Sequence, residues 1–253
     1  MKASPAGGDG DESRRIEQEV LRVLQETPHD AGPVVTLSWA RSVTGAIAAA
    51  DGARTALSGS ESLLLTHRLR AMHGAILVGI QTVLSDDPLL TVRLLQGAQP
   101  QPVVLDSRLR FPPEAHLLSR ADMKPWIFHS EEEGSAAMRE QRLARALRLV
   151  RKGARLFPVR RNERGLDLHQ VLSTLLSEGI HSLMVEGGAR VLESFMSQDL
   201  ASQAVITVSP LRIEGIQGPR MPGTGFSLRE RYGGDEVVWV HFRARSCDLF
   251  DGG

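Results

Sequence analysis

The stretch Ser182–Leu192, which reads SLMVEGGARVL, decides the fold. Its apolar first residues predict a short buried strand that ends at Glu186, and Gly187 with Gly188 permits a tight turn into a helix from Arg190 onward. A strand that turns directly into a helix is typical of α/β folds, where ligands bind at the carboxyl ends of strands and a helix N-terminus favours phosphate. A purely structural turn with a solvated Glu186 explains the same sequence equally well.

The chain on both sides repeats this alternation of short apolar runs and stretches with helical period, which indicates helices packed on one largely parallel sheet. We therefore predict an α/β fold with a mixed, mostly parallel central sheet over residues 33–253. The eight predicted strands are Val34–Trp39, Ala75–Val78, Pro102–Leu105, Trp126–His129, Ala154–Val159, Ser182–Val185, Ala204–Val208 and Val237–Phe242.

Several helix ends carry recognisable signals. Ser58 with Glu61 predicts a capping box at the start of one helix, and Gly74 predicts its left-handed end. Two further helices are predicted over Ser135–Lys152 and Leu168–Ser177, each followed by a glycine that can end it.

Residues 1–32 differ from the rest of the chain. Met1–Ser13 is rich in Gly, Asp and Ser and predicts a flexible tail. Arg14–Glu26 places Ile16, Val20 and Val23 on one helical face, which predicts a docking helix.

The composition excludes several classes of protein. Thirty basic and thirty acidic residues give a net charge of zero, so nothing favours nucleic acid or a membrane surface as a partner. No apolar run approaches the length of a membrane span, and Cys247 is the one cysteine, so no disulfide framework or zinc site built on paired cysteines is expected. The histidines show no spacing typical of metal ligands. We expect a cytoplasmic protein without a metal.

A second polar segment lies within Ala75–Arg93, AILVGIQTVLSDDPLLTVR. Adjacent carboxylates repel each other when buried, so we expect Asp86 or Asp87 to bind a hydroxyl, an amide or a backbone N–H, although Asp-Asp-Pro is also a common turn. Arg70 and Arg93 are candidates for converging on a phosphate, with ordinary surface charges as the alternative. Arginines within residues 160–164 would similarly suit the 2′-phosphate of NADP, although a run of charges in a turn is more often simply solvated.

Taken together, the chain resembles the riboflavin-biosynthesis reductases with a dihydrofolate-reductase-like fold. The resemblance rests on ordered stretches at the family's spacing, spanning about residues 33–215: VVTLSWARSVTGAIA from Val34, RTALSGSES from Arg54, HRLRAMHGAILVGIQTVLSDDPLLTVR from His67, PVVLDSRLRFPP from Pro102, SLMVEGGARVL from Ser182 and ITVSPLRIEG from Ile206.

This resemblance implies an NADPH-dependent reduction of a small-molecule ribosylaminopyrimidine 5′-phosphate to its ribitylamino form, with hydride transfer from nicotinamide C4 to the ring-opened C1′. It implies catalytic roles for Glu186 and Asp86, and homodimers. The implied cofactor contacts are Thr82, Asp86, Val159, Gly187, Gly188, Ala189 and Arg190. The implied substrate contacts are Arg70, Arg93 and Glu186, with Arg54 as a possible substitute for a missing family lysine.

RTALSG at Arg54–Gly59 is similar to the fungal and other eukaryotic members, and a zinc deaminase motif cannot be formed with one cysteine. We therefore expect a stand-alone reductase acting on 2,5-diamino-6-ribosylamino-4(3H)-pyrimidinone 5′-phosphate. A pterin reductase, of the kind that reduces dihydrofolate, is one alternative. The other is a catalytically silent NADP-binding homologue, because Thr44 and Ala46 stand where the family often has an aspartate and a lysine.

Overall fold

The computed structural model describes residues 15–29, 32–50, 56–131, 135–219 and 226–242. The helices are α1 (Arg15–Glu26), α2 (Ser60–Met72), α3 (Ile80–Asp86), α4 (His116–Ser119), α5 (Ala136–Arg151), α6 (Leu168–Ser177) and α7 (Ala189–Ser197). The strands are β1 (Val34–Ser42), β2 (Ala46–Ala49), β3 (Ala75–Gly79), β4 (Gln101–Leu105), β5 (Trp126–Ser130), β6 (Arg155–Val159), β7 (Arg161–Asn162), β8 (Gly165–Leu166), β9 (Ser182–Val185), β10 (Gln203–Ser209), β11 (Gly215–Gln217), β12 (Phe226–Tyr232) and β13 (Asp235–His241).

Within the described residues, nine strands form one mixed sheet in the order β12-β13-β10-β1-β9-β3-β4-β5-β6. The strands from β10 to β6 are parallel, while β13 runs antiparallel to β10 and β12 antiparallel to β13. The predicted α/β class and all eight predicted strands are confirmed. The ninth strand, β12, was missed because its sequence, FSLRERY, is mostly polar and packs few apolar side chains, such as Leu228, on the core.

Helices cover both faces of this sheet. On one face, α6 and α7 pack Leu172 and Phe195 against the strands around β1 and β9. On the other face, α1 and α2 cover the part of the sheet near β13, and Val83 of α3 and Leu149 of α5 pack over the part near β4. The central strands are therefore buried on both sides.

The N-terminal helix is part of the core. Ile16 and Val20 of α1 are fully buried against the same cluster as Trp239, and the Ile16 N–H donates to Glu230 Oε2 at 3.3 Å. The helix predicted over Arg14–Glu26 is thus confirmed from residue 15. The predicted tail, Met1–Ser13, lies outside the described residues.

The predicted capping box at Ser58 and Glu61 is wrong. The N-cap of α2 is Gly59, and no side-chain hydrogen bond of its own caps the helix. Instead, buried Asp235 from the β12–β13 hairpin accepts the Gly59 N–H at 2.7 Å and the Ser62 hydroxyl. A carboxylate distant in sequence has replaced the local cap, and sequence spacing cannot predict that.

The predicted left-handed end of α2 at Gly74 is also wrong. The helix ends at His73 in an extended conformation, and the Gly74 N–H donates to Ser182 Oγ at 2.9 Å, so β9 directs the chain there. The other glycine ends are confirmed, because Gly153 and Gly179 have φ angles of 93° and 84°. Ser135 is the N-cap of α5, and its side chain accepts the Met138 N–H.

Replacing Asp235 with alanine should lower the free energy of unfolding by about 1–3 kcal/mol, because the buried donors at the start of α2 lose their acceptor. Urea denaturation measures the change. Glu236→Ala is the matched control, since among the described residues its carboxylate forms only an exposed pair with Arg229, and it should change stability by less than about 0.5 kcal/mol. Equal effects of the two substitutions would contradict the capping role.

A buried chain of hydrogen bonds links α2 to the sheet. The His73 Nδ1–H donates to the Leu69 carbonyl at 2.7 Å, and Nε2 accepts from the Thr36 hydroxyl at 2.8 Å. Gln203 Nε2 donates to Thr36 at 3.0 Å and its Oε1 accepts from Trp239 Nε1 at 2.8 Å. Burial lowers the pKa of His73 from 6.5 to about 4, so the network holds a neutral imidazole.

The lowered pKa of His73 predicts acid-dependent stability. The unfolded chain takes up this proton near pH 6.5 and the folded chain only near pH 4, so its contribution is complete above pH 6.5 and is lost as the pH falls toward 4. Over this window we expect a slope of up to about 1.4 kcal/mol per pH unit from this group. Urea denaturation of His73→Gln should show a shallower slope than the unmodified protein. Identical slopes would exclude His73 as the source.

Candidate active site

The carboxyl ends of β1, β9 and β3 meet at one edge of the sheet. Val185, the last residue of β9, lies opposite Leu37 of β1 and Leu77 of β3. The next residue, Glu186, donates its backbone N–H to the Leu77 carbonyl at 2.9 Å. Its side chain is therefore fixed at the centre of this carboxyl edge.

Glu186 forms a two-point ion pair with Arg70, which stands near the end of α2. Arg70 Nε donates to Oε1 at 2.7 Å and Nη2 donates to Oε2 at 2.6 Å. The side chains are only 11% and 16% exposed. Burial by itself would lower the pKa of Arg70, but the Glu186 carboxylate outweighs it and raises the pKa above its ordinary value. The pair is a rigid, charged group beside the carboxyl edge.

The segment 91–93 lies against this pair. Arg70 Nη1 donates to the Thr91 carbonyl at 3.0 Å. The Gln99 amide forms two hydrogen bonds with the Val92 backbone, accepting its N–H at 2.9 Å and donating to its carbonyl at 2.7 Å. The Arg93 side chain is exposed. The structure thus brings the Arg93 segment beside Arg70 and Glu186, and a shared phosphate remains a prediction.

The two glycines after Glu186 have different surroundings. A Cβ on Gly187 would lie 2.6 Å from Val191 Cβ, and a Cβ on Gly79 would lie 2.8 Å from Val191 Cγ2. These glycines let the start of α7 pack over the end of β3. A Cβ on Gly188, the N-cap of α7, would meet nothing within 4 Å. Gly188 therefore borders open space at the edge where a ligand would approach.

Thr82 and Asp86 lie on α3, which begins directly after β3. The polar segment after the strand is thus a short helix, and the two residues share a face because they are four apart. Asp87 has a left-handed φ of 40° and accepts the His116 N–H at 2.8 Å, so one of the paired acids does bind a backbone N–H, as predicted. Among described residues, nothing forms a side-chain hydrogen bond or ion pair with the half-buried Asp86 carboxylate.

Val159 lies at the far end of the same carboxyl edge. It ends β6, which is four strands from β9, so the separation is roughly 19 Å at about 4.8 Å per strand. The arginines within residues 160–164 are exposed around the β7–β8 hairpin that follows. The remaining predicted cofactor contacts, Ala189 and Arg190, open α7. Arg54 lies outside the described residues.

Sequence reasoning did not single out Asp106, which follows β4 at this edge. Its carboxylate is fully buried, Oδ2 accepts the Phe111 N–H at 2.8 Å, and Oδ1 has no hydrogen-bond partner among the described residues. Burial raises its pKa above the ordinary value, although backbone N–H groups oppose the shift. An aspartate directly after an apolar strand was the available signal.

The family departures at Thr44 and Ala46 have structural explanations. Thr44 Oγ1 donates to the Ile213 carbonyl and contacts Ser42 Oγ at 2.6 Å, which ties the β1–β2 turn to the chain before β11. Ala46 is fully buried, so a lysine there would have to thread its side chain out of the core. The turn is held together without the family's acid and lysine.

Across the described ranges, no three His, Cys, Asp or Glu side chains are grouped so that they could hold a metal ion. None of the described helices combines the length and the apolar character needed to cross a membrane.

Residues 33–247 match the RibD C-terminal domain family. A 2,5-diamino-6-ribosylamino-4(3H)-pyrimidinone 5′-phosphate reductase from Methanothermobacter thermautotrophicus is 36% identical over 72% of this chain and 80% of its own. The riboflavin biosynthesis protein RibD of Aquifex aeolicus is 30% identical over 79% of this chain, and the match spans only 51% of that longer protein.

Among solved structures, the riboflavin biosynthesis reductase Rib7 of Saccharomyces cerevisiae superposes with a TM-score of 0.70. The alignment covers 91% of this chain and 99% of that structure at 22% sequence identity. This likeness shows that the two proteins share a fold over nearly their whole length.

Proposed function

The chain belongs to the RibD C-terminal domain family, and from this premise we propose that it is an NADPH-dependent reductase of a ribosylaminopyrimidine 5′-phosphate. The observation that carries the proposal is the bidentate Arg70–Glu186 pair, held at the carboxyl edge next to the glycine turn at Gly187 and Gly188. Named relatives that reduce 2,5-diamino-6-ribosylamino-4(3H)-pyrimidinone 5′-phosphate support the choice of substrate.

The proposed cofactor site extends along the carboxyl edge. Gly188 borders open space, Asp86 has a carboxylate without a partner among described residues, and the edge continues for roughly 19 Å to Val159, a span that suits an extended dinucleotide. When bound, NADPH would supply the hydride. Thr82 and Ala189 would contact it near the centre of the edge, and the arginines after Val159 would favour NADPH over NADH.

Besides the hydride, the reaction requires one proton shift from nitrogen to oxygen and one proton uptake on nitrogen. The sugar ring opens when O4′ gains a proton and the exocyclic nitrogen loses one, which leaves a C1′=N imine. Hydride addition to C1′ and a proton on nitrogen then give the ribitylamino product. We assign proton handling to Asp86, since its carboxylate is uncommitted, and we assign Glu186 to holding Arg70 and polarising the sugar through that pair.

Arg70 and Arg93 would hold the substrate. A guanidinium suits two-point binding of a phosphate or of paired sugar hydroxyls, and the exposed Arg93 side chain is free to face a ligand that lies over Glu186. A phosphate anchored away from C1′ contributes binding energy that orients the reacting carbon toward the hydride donor.

The test is a comparison of turnover on four substrate and cofactor pairs. We expect NADPH oxidation with the diamino substrate, slower oxidation with its deaminated form, none with dihydrofolate, and a lower kcat/KM with NADH. Turnover of dihydrofolate alone would overturn the substrate assignment. NADPH binding by calorimetry with no turnover on any of these substrates would identify a silent homologue.

We further propose that residues 33–253 form the reductase domain, with residues 1–32 as a tail and a helix docked on it, and that the protein is a cytoplasmic homodimer. Both ends of the described sheet, β12 and β6, leave backbone groups unpaired, which favours a second subunit on one of them. Light scattering at several protein concentrations tests the dimer, and a constant monomer mass would exclude it.

A further inference from the structure

A histidine without an assigned role lies beneath the proposed substrate site. His67 is on α2, one turn before Arg70, and its side chain is fully buried. Its Nδ1 accepts the backbone N–H of Arg93 at 3.2 Å. The imidazole thus connects the helix that carries one proposed substrate arginine to the backbone of the other.

The hydrogen bond fixes the tautomer of His67. Because Nδ1 accepts, the proton is on Nε2, and this atom is buried without a hydrogen-bond partner among the described residues. A buried, unpaired N–H lowers stability, and leucine would fill a similar space without that cost. What the imidazole adds over an apolar side chain is therefore the acceptor for Arg93.

The charges around His67 keep that acceptor available. Burial, together with Arg70 on the same helix and Arg93 on the facing segment, lowers the pKa of His67 to about 4, while Glu186 at the end of β9 acts in the opposite direction. At neutral pH the ring is uncharged, so Nδ1 retains its lone pair.

We propose that His67 is a positioning residue that holds Arg93 in the orientation needed to bind the substrate phosphate. The proposal rests on the proposed function. Each residue of the segment 91–93 forms its own hydrogen bond to a different side chain. Arg70 donates to the Thr91 carbonyl, and the Gln99 amide bonds both backbone groups of Val92. His67 accepts the Arg93 N–H. Removing His67 therefore releases Arg93 and leaves the preceding two residues in place.

Three substitutions separate this role from packing. In His67→Asn, the side-chain oxygen lies near the position of Nδ1 and can accept the Arg93 N–H, whereas His67→Gln places its amide nearer to Nε2, and His67→Leu has no acceptor. We expect Leu and Gln to raise the KM for the phosphate substrate about three- to tenfold. In both variants, kcat and the KM for NADPH should stay within about twofold of the unmodified protein. In the Asn variant, most of the increase in the KM for the phosphate substrate should be absent.

Hydrogen exchange of the Arg93 amide, followed by NMR, provides a readout that needs no turnover. It should accelerate in His67→Leu and His67→Gln but not in His67→Asn, while the Val92 amide, bonded to Gln99, stays unchanged as the internal control. Affinity for ribose 5-phosphate, measured by calorimetry, should follow the same order.

Unchanged Arg93 exchange in His67→Gln, or an equal loss of ribose 5-phosphate affinity in the Asn and Gln variants, would overturn the proposal, and this comparison holds even when the Leu variant does not fold. Failure of the unmodified protein to reduce the pyrimidine substrate would overturn the proposed function alone. The exchange and ribose 5-phosphate results would still decide the role of His67.

Discussion

Replacing Arg70 with methionine is expected to lower kcat/KM for the pyrimidine substrate at least about a hundredfold, because the proposed substrate contact and the partner of Glu186 are lost together. It should also lower the free energy of unfolding by about 2–4 kcal/mol, because Glu186 is left as an uncompensated, largely buried charge. Steady-state kinetics and urea denaturation measure the two effects.

The double variant Arg70→Met with Glu186→Gln separates the effect on activity from the effect on stability. Neutralising the carboxylate should recover about half or more of the lost stability, since the unpaired charge is gone, while activity stays low. Recovery of activity together with stability would show that the pair only supports the fold. Full turnover in Glu186→Gln alone would remove Glu186 from the proposed mechanism.

The second large effect concerns the glycine turn. Gly188→Ala is expected to weaken NADPH binding about tenfold, because the new methyl group would enter the space that we propose for the cofactor. Its stability should change by less than about 1 kcal/mol, since a Cβ there meets no protein atom within 4 Å, and the poorer capping by alanine is partly offset by the lower entropy of the unfolded chain. Calorimetric titration measures the affinity for NADPH, and thermal unfolding measures the stability.

Gly187→Ala is the matched comparison, one residue away. Its Cβ would lie 2.6 Å from Val191 Cβ, so α7 must shift, and we expect a loss of about 1–3 kcal/mol of stability. Unchanged NADPH affinity in Gly188→Ala would place the cofactor away from this turn.

The fold was predictable where the signals are local. The strand Ser182–Val185 was predicted with the bounds that the structure shows, because an apolar run, a glycine pair and a helical pattern follow one another without a gap. Strand β12 was missed because it lies at the sheet edge and is mostly polar. The α2 cap was missed because its acceptor, Asp235, is 176 residues from Gly59.

The arrangement of the candidate site residues could not be predicted from the sequence. The family resemblance indicated Arg70 and Glu186 separately, but their mutual ion pair joins positions 116 residues apart and depends on the sheet order. His67 showed no metal-ligand spacing in the sequence. Its role as an acceptor follows only from the position of the Arg93 backbone, which three tertiary contacts fix.

The most direct test of the central claim is isotope transfer from NADPH deuterated at the transferring C4 position. We expect mass spectrometry and NMR to find a single deuterium at C1′ of the ribitylamino product, which would show that the protein brings nicotinamide C4 and the sugar C1′ together for direct hydride transfer. A product without deuterium, or with deuterium at another carbon, would contradict the account.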